Sequence, residues 1–329
     1  MEENKQLLDP DFLIKDVVRA VKTRWNSFLD AFEQAIQLRN PIDTFIQYHI
    51  DKHKKEVASL RAKGKKLPVP DLYIRVGGMD LHDWDVITRY KEILHPIREA
   101  TLMVEARGKA GVHGAIWQVI PMLDWLLQKF EHAIQRVDAA TLFDYPDQEA
   151  MEDHYAINLK RGWKKLTKYF NKIDETPAYY TATLLNPATK LFCSNAWVEY
   201  PKWIMKCDAA FQKLWSKYKD RPISASSSAP LKPKRQKMDL GLYNHIRNNS
   251  RKASVASTSS NQDEFVRWMA EDPLPEGHVF VEDPIGYWLH QESRYPLLSQ
   301  LALDILTIPA SSADCETTFS ECTNMLEPR

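Results

Sequence analysis

Cysteine is scarce and poorly placed for metal. The four cysteines, Cys193, Cys207, Cys315 and Cys322, form no Cys-x-x-Cys pair, and no histidine stands at finger spacing from them. That excludes a zinc finger, and the thiols read as reduced, buried groups of an intracellular protein. Charge of one sign is lacking too. The 44 Lys and Arg balance 44 Asp and Glu, so any nucleic-acid surface has to be local. Glycine is rare, at ten in 329 residues, which disfavours a sheet with many tight turns and favours helices. No apolar run approaches the roughly 20 residues of a membrane helix. The opening MEENKQLLDP is charged and has no apolar core, so it does not read as a signal peptide. Gly108-Lys109-Ala110-Gly111 lacks the spacing of a phosphate-binding loop, and no strand precedes it.

What remains is a mainly α chain with 44% hydrophobic residues and ten tryptophans. Trp25, Leu29, Phe32 and Ile36 recur at helical spacing, and Pro41 is expected to interrupt that helix. A second amphipathic helix is expected over 41–62. Its basic end, Arg61 to Lys66, fits either a solvated terminus or a phosphate patch. Residues 67–79 read as a loop. Asp80 can cap the next helix through Asp83, and Pro96 should kink it. The broadest apolar face lies on 115–137, through Trp117, Ile120, Leu123, Leu127, Phe130 and Ile134, with Pro121 expected to bend it.

A further helix over 147–174 carries Lys160, Arg161, Lys164, Lys165 and Lys168, interleaved with Trp163, Tyr169 and Phe170. Such a mixture suits either a nucleic-acid backbone or a solvated face with its aromatics turned inward. Residues 201–219 form an amphipathic helix through Ile204, Cys207, Phe211, Leu214 and Tyr218. Residues 222–262 are rich in Ser, Pro, Lys and Asn and read as a disordered linker. Within it, Pro230 to Lys237 has the form of a nuclear import signal. Order returns at Asp263, and Asp283-Pro284 and Pro296 each open a helix.

The final stretch, IPASSADCETTFSECTNMLE, has hydroxyl residues Ser311 and Ser312 that can cap a helix, and an apolar face through Cys315, Phe319 and Cys322. Glu316 lies beside that face. It fits either a solvated helix residue or an acid that holds a metal.

Tyr287-Trp288, Tyr295-Pro296-Leu297, Leu301-Ala302, Ile308 to Ser312, Cys315-Glu316 and Phe319-Ser320 together resemble the C-terminal region of hAT-superfamily DNA transposases. Thr23-Arg24-Trp25-Asn26-Ser27 and residues 177–192 are similar to two further landmarks of that family, while Thr317 stands where the family commonly has Arg. The resemblance implies a ribonuclease-H-like catalytic domain interrupted by a helical insertion. On this chain it implies a core remnant at 1–40, the insertion at 41–221, a linker at 222–262 and the dimerisation region at 263–329.

The resemblance also implies roles. Glu316 matches the last acid of an Asp-Asp-Glu site that works with Mg²⁺ or Mn²⁺. Trp25 matches a residue linked to handling a flipped base, and its other reading is a core residue at the head of its stripe. Tyr287, Trp288, Tyr295, Leu298, Leu301, Ile305 and Phe319 fall in the dimerisation region, and Arg24 joins the basic residues of 160–168 as a nucleic-acid candidate.

Only 22 residues precede Thr23, too few for the sheet that would carry the two Asp. The expectation is therefore a transposase-derived chain that binds itself or related chains, with no cofactor and no catalysis of its own. Two alternatives stand beside it. One is part of a working transposase whose other acids lie upstream; the other is a helical scaffold with no DNA role. DNA remains a candidate partner, a membrane does not, and the nucleus is the expected compartment.

Overall fold

The computed structural model describes residues 25–65, 79–104, 116–140, 154–221, 263–275, 278, 280–281 and 283–311. The described residues form helices and no strand: α1 (Trp25–Gln37), α2 (Arg39–Arg61), α3 (Leu81–Val104), α4 (Val119–Ala140), α5 (Tyr155–Phe170), α6 (Ala178–Leu185), α7 (Phe192–Ala196), α8 (Pro201–Lys219), α9 (Glu264–Ala270), α10 (Pro284–Gln291) and α11 (Pro296–Leu306). Short 3₁₀ turns stand at Ile116–Gln118 and Ile173–Glu175. The mainly α expectation holds. The linker at 222–262, its import-like stretch, Arg24, Glu316 and Phe319 lie outside the described residues.

Two compact units emerge. One takes residues 1–98 and 147–155; the other takes 99–146 and 156–329. In the first unit α1 packs on α2, and Leu29 is fully buried. Arg98 of α3 reaches two acids of α1, Asp30 at 2.9 Å and Glu33 at 2.7 Å. Trp84 donates its indole N–H to Asp43 of α2 at 3.0 Å. The cap at the head of α3 is reciprocal: Asp80 accepts from the N–H groups of His82 and Asp83, and Asp83 accepts from the Asp80 N–H.

The prolines act differently from expectation. The break between α1 and α2 falls at Leu38, and Pro41 sits inside the first turn of α2. Pro121 likewise sits in the first turn of α4, after the 3₁₀ turn, and does not bend its middle. In a first turn the missing N–H has no intrahelical partner to lose, so proline is tolerated there. Among the described residues Pro96 lies beyond the first turn of its helix, and α3 continues through it. The basic helix runs over Tyr155–Phe170, and residues 147–153 of the expected span 147–174 lie outside the described residues.

The second unit is organised around α6. This eight-residue helix buries Tyr180, Thr181, Ala182, Thr183, Leu184 and Leu185. It contacts α4, α7, α8, α11 and both 3₁₀ turns. A helix buried on all sides carries apolar or small residues all round, as AYYTATLL does. Its hydroxyls are partly served inside: Thr183 donates to the carbonyls of Trp117 at 3.2 Å and Tyr179 at 3.1 Å. Against this hub α8 brings Cys207, Phe211, Trp215 and Tyr218. Pro201, Pro284 and Pro296 each stand in the first turn of α8, α10 and α11.

Candidate association region and basic helix face

Residues 263–311 are built from the caps inward. Asp263 accepts from the Phe265 N–H at 2.8 Å, so it starts α9. The same carboxylate accepts from the Trp215 indole at 3.1 Å and pairs with Lys219, both on α8. Burial alone pushes the Asp263 carboxyl up, but the hydrogen bonds from Lys219, Trp215 and the Phe265 N–H outweigh it and hold it below the ordinary value. Glu264 then reaches across to α11 and accepts from the Leu298 N–H at 2.8 Å. It thereby caps a helix whose own preceding residue, Tyr295, provides no side-chain cap. Burial pushes the Glu264 carboxyl up, only partly offset by those backbone donors. Asp283 caps α10 through the Gly286 N–H at 2.8 Å.

An aromatic core joins these short helices. The Trp268 and Trp288 rings lie 5.1 Å apart, and both are fully buried. Trp268 donates to the Tyr287 hydroxyl at 3.0 Å, and Trp288 donates to the carbonyl of Leu185 on α6 at 2.7 Å. Tyr295 donates to Glu271 at 2.7 Å, and the guanidinium groups of Arg267 and Arg294 lie 5.2 Å and 5.0 Å from its ring centre. Tyr218 of α8 donates to Asp304 of α11 at 2.6 Å. Lys190 follows α6 and is almost fully buried. It donates to the carbonyls of Trp268 and Glu271, with its ammonium 4.7 Å from the Trp268 ring centre. It thus serves the C-terminal carbonyls of α9 from a distant part of the chain.

Six residues that the resemblance places in the dimerisation region, Tyr287, Trp288, Tyr295, Leu298, Leu301 and Ile305, are therefore buried within this chain. Their apolar face is not left open. The reason is that α6 and α8 bring their own buried faces to α11, which covers it. Among the described residues here, the large apolar side chains that remain outward are Val266, 49% exposed, and Ile308, 36% exposed.

The basic helix α5 is amphipathic in a different sense. Leu159 and Phe170 are buried, while Arg161, Lys164, Lys165 and Lys168 are exposed. Lys160 pairs with Asp138 of α4 at 2.9 Å, and Trp163 donates to Glu131 of α4 at 3.1 Å. Phe170 turns inward as the solvated-face reading expects, but Tyr169 stays 52% exposed, with the Lys165 ammonium 5.3 Å from its ring centre. Gly162 lets α5 approach α4 closely: a Cβ there would stand 2.6 Å from the Phe130 ring.

Trp25 opens α1; it belongs to the first unit, whereas the basic helix face belongs to the second. Glu316 and Phe319 are not among the described residues, and among those that are, no three His, Cys, Asp or Glu side chains gather as a metal site. Sequence reasoning passed over Lys190 and Glu264. Neither carries a local signal, since each serves carbonyls or N–H groups of another helix.

Residues 264–329 match the hAT family C-terminal dimerisation region. The chain is also 23% identical, over 184 residues, to "Putative transcriptional regulator tpeD" of Talaromyces stipitatus. That stretch is 55% of this chain and 21% of the relative, so the match covers about a fifth of the curated protein's length. No helix among the described residues is long and apolar enough to cross a membrane.

Proposed function

We propose that this chain works by associating with a second copy of itself or with another hAT-type chain through its C-terminal region. The observation that carries this is the match of residues 264–329 to a dimerisation region. Because the motif residues are used inside the protomer, the association surface is assigned to the outer side of α9 to α11, with Val266 and Ile308 on it. In this reading the C-terminal helices complete a ribonuclease-H-like core, residues 41–221 are its helical insertion, and the protein acts in the nucleus. The chain itself performs no phosphodiester chemistry. A two-ion site needs several carboxylates around ions about 4 Å apart, and Glu316 is the single acid that the resemblance supplies. With a full set of acids, Mg²⁺ or Mn²⁺ would polarise the scissile phosphate there.

Light scattering at tens of micromolar tests the association. The expected mass is twice the 38.2 kDa of the chain. Val266→Asp combined with Ile308→Asp should return it to the single-chain mass with helicity unchanged. A wild-type monomer with its helices folded would overturn the proposal, as would a dimer indifferent to that double change. Plasmid nicking with Mg²⁺ or Mn²⁺ that is lost in Glu316→Gln would overturn its non-catalytic part.

A further inference from the structure

We propose that the groove between α2 and the residues leading into α3 binds an alkylammonium group, the head of a lysine side chain or of a free polyamine. The groove belongs to the first compact unit and the association surface to the second, so it stands apart from the association role. Its volume is about 550 Å³, and it is lined by Asp43, Thr44, Ile46, Gln47 and Tyr48 of α2 and by Met79. That volume is within the range of small-ligand sites. Helical spacing explains the lining. Asp43 and Gln47 stand one turn apart, as do Thr44 and Tyr48, so the two pairs form adjacent rows along α2. Trp84 of α3 fixes the first row, because its indole N–H holds Asp43 at 3.0 Å.

The polar lining accepts hydrogen bonds and has spent most of its donors. Asp43 Oδ1 takes the Trp84 N–H, while Oδ2 has Arg39 at 3.8 Å, beyond hydrogen-bond reach. Thr44 donates its hydroxyl to the Asn40 carbonyl at 2.8 Å, so its oxygen is left as an acceptor. Gln47 gives its amide nitrogen to Asp51 at 3.0 Å, which leaves its carbonyl oxygen. An ammonium answers such a set, having three donors and no acceptor. Ile46 and Met79 are apolar and suit the methylene stem that carries this head. Tyr48 is 63% exposed, and its ring offers a cation an open, electron-rich face. The His49 ring, 5.3 Å away and at 89° to it, steadies that ring. Charge agrees with this reading. Asp43, Asp51, Asp80 and Asp83 stand against Arg39 and Lys52 over residues 39–52 and 79–83, so the groove has a net negative surround. An anionic ligand meets the opposite conditions.

The test uses the full chain with ¹³C-labelled methionine methyl groups, the Met79 signal being assigned through Met79→Leu. Titration with butylammonium chloride at constant ionic strength should move that signal, with a Kd of about 1 mM. Butanol, the neutral counterpart, and butyrate, the anionic one, should each bind at least about tenfold more weakly. Asp43→Asn keeps an acceptor for the Trp84 indole and removes the charge; it should weaken butylammonium by about tenfold or more. Tyr48→Leu, at an exposed position, should weaken it by about twofold to fivefold. Circular dichroism should show both variants folded. Spermidine and a short peptide with a single lysine then separate the two sources. The tighter binder identifies the source, and equal binding means that the ammonium head alone is read. Butanol binding as tightly as butylammonium would overturn the proposal. So would unaltered affinity in Asp43→Asn, or a Met79 signal that stays in place up to about 20 mM butylammonium.

Discussion

Lys190→Met is the change that most directly probes how the C-terminal helices are held. The lysine is 4% exposed, donates to the carbonyls of Trp268 and Glu271, and lies against the Trp268 ring. Methionine keeps a stem of similar length and removes only the ammonium. Two charge-assisted hydrogen bonds are worth about 1.5–3 kcal/mol each, and the cation–ring contact about 1–2 kcal/mol. Against this, the unfolded chain no longer regains the hydration of a buried charge, a relief of several kcal/mol. The net expected loss is about 2–4 kcal/mol, because two buried carbonyls are left without this donor. Urea unfolding followed by tryptophan emission should read it. With a slope of about 2 kcal/mol per molar, the midpoint should fall by about 1–2 M. The Trp268 environment should also change in the native state, since the cation over its ring is gone. A midpoint within about 0.3 M of wild type, with an unchanged slope, would show that the ammonium does not hold α9 to the rest of the unit.

Two further outcomes follow from the same packing. Gly162→Ala should destabilise by about 1–3 kcal/mol, because the new Cβ would meet the buried Phe130 ring at 2.6 Å. Helix propensity alone predicts a gain of about 1 kcal/mol, so a higher melting temperature would refute the close-approach account. Asp263 has its carboxyl held below the ordinary value, so its contribution to stability is complete above the unfolded value of about 3.9. That contribution is lost as pH falls through the folded value. The urea midpoint of wild type should therefore drop below about pH 4 more steeply than that of Asp263→Asn; parallel curves would show that the pairing with Trp215 and Lys219 carries no such linkage.

Much of the architecture was legible because it is local. Asp80, Asp263 and Asp283 cap helices through N–H groups two or three residues away, and the prolines at 201, 284 and 296 open helices whatever packs on them. The basic composition of α5 is local too, as is the run of motifs that marks the hAT-type C-terminal region. Pro41 and Pro121 were misplaced because a helix start depends on where the preceding turn ends, and that is fixed by packing.

The hub helix α6 was the least legible element. It is short and shows no stripe, since every side of it is covered and no alternation of apolar and polar positions is required. Lys190 likewise looks like any surface lysine until two carbonyls from about eighty residues away are brought to it.

The sequence by itself determined that the chain is mainly helical, where the local caps at Asp80, Asp263 and Asp283 lie, which helix is basic and which motifs the C-terminal region carries. All of these depend on residues within a turn or two of one another, or on a motif that needs no folding to be read. Only the tertiary structure decided what the apolar motif residues touch. An apolar side chain is indifferent to whether its cover comes from its own chain or a partner's, and here α6 and α8 cover Trp288, Leu298 and Leu301 from within.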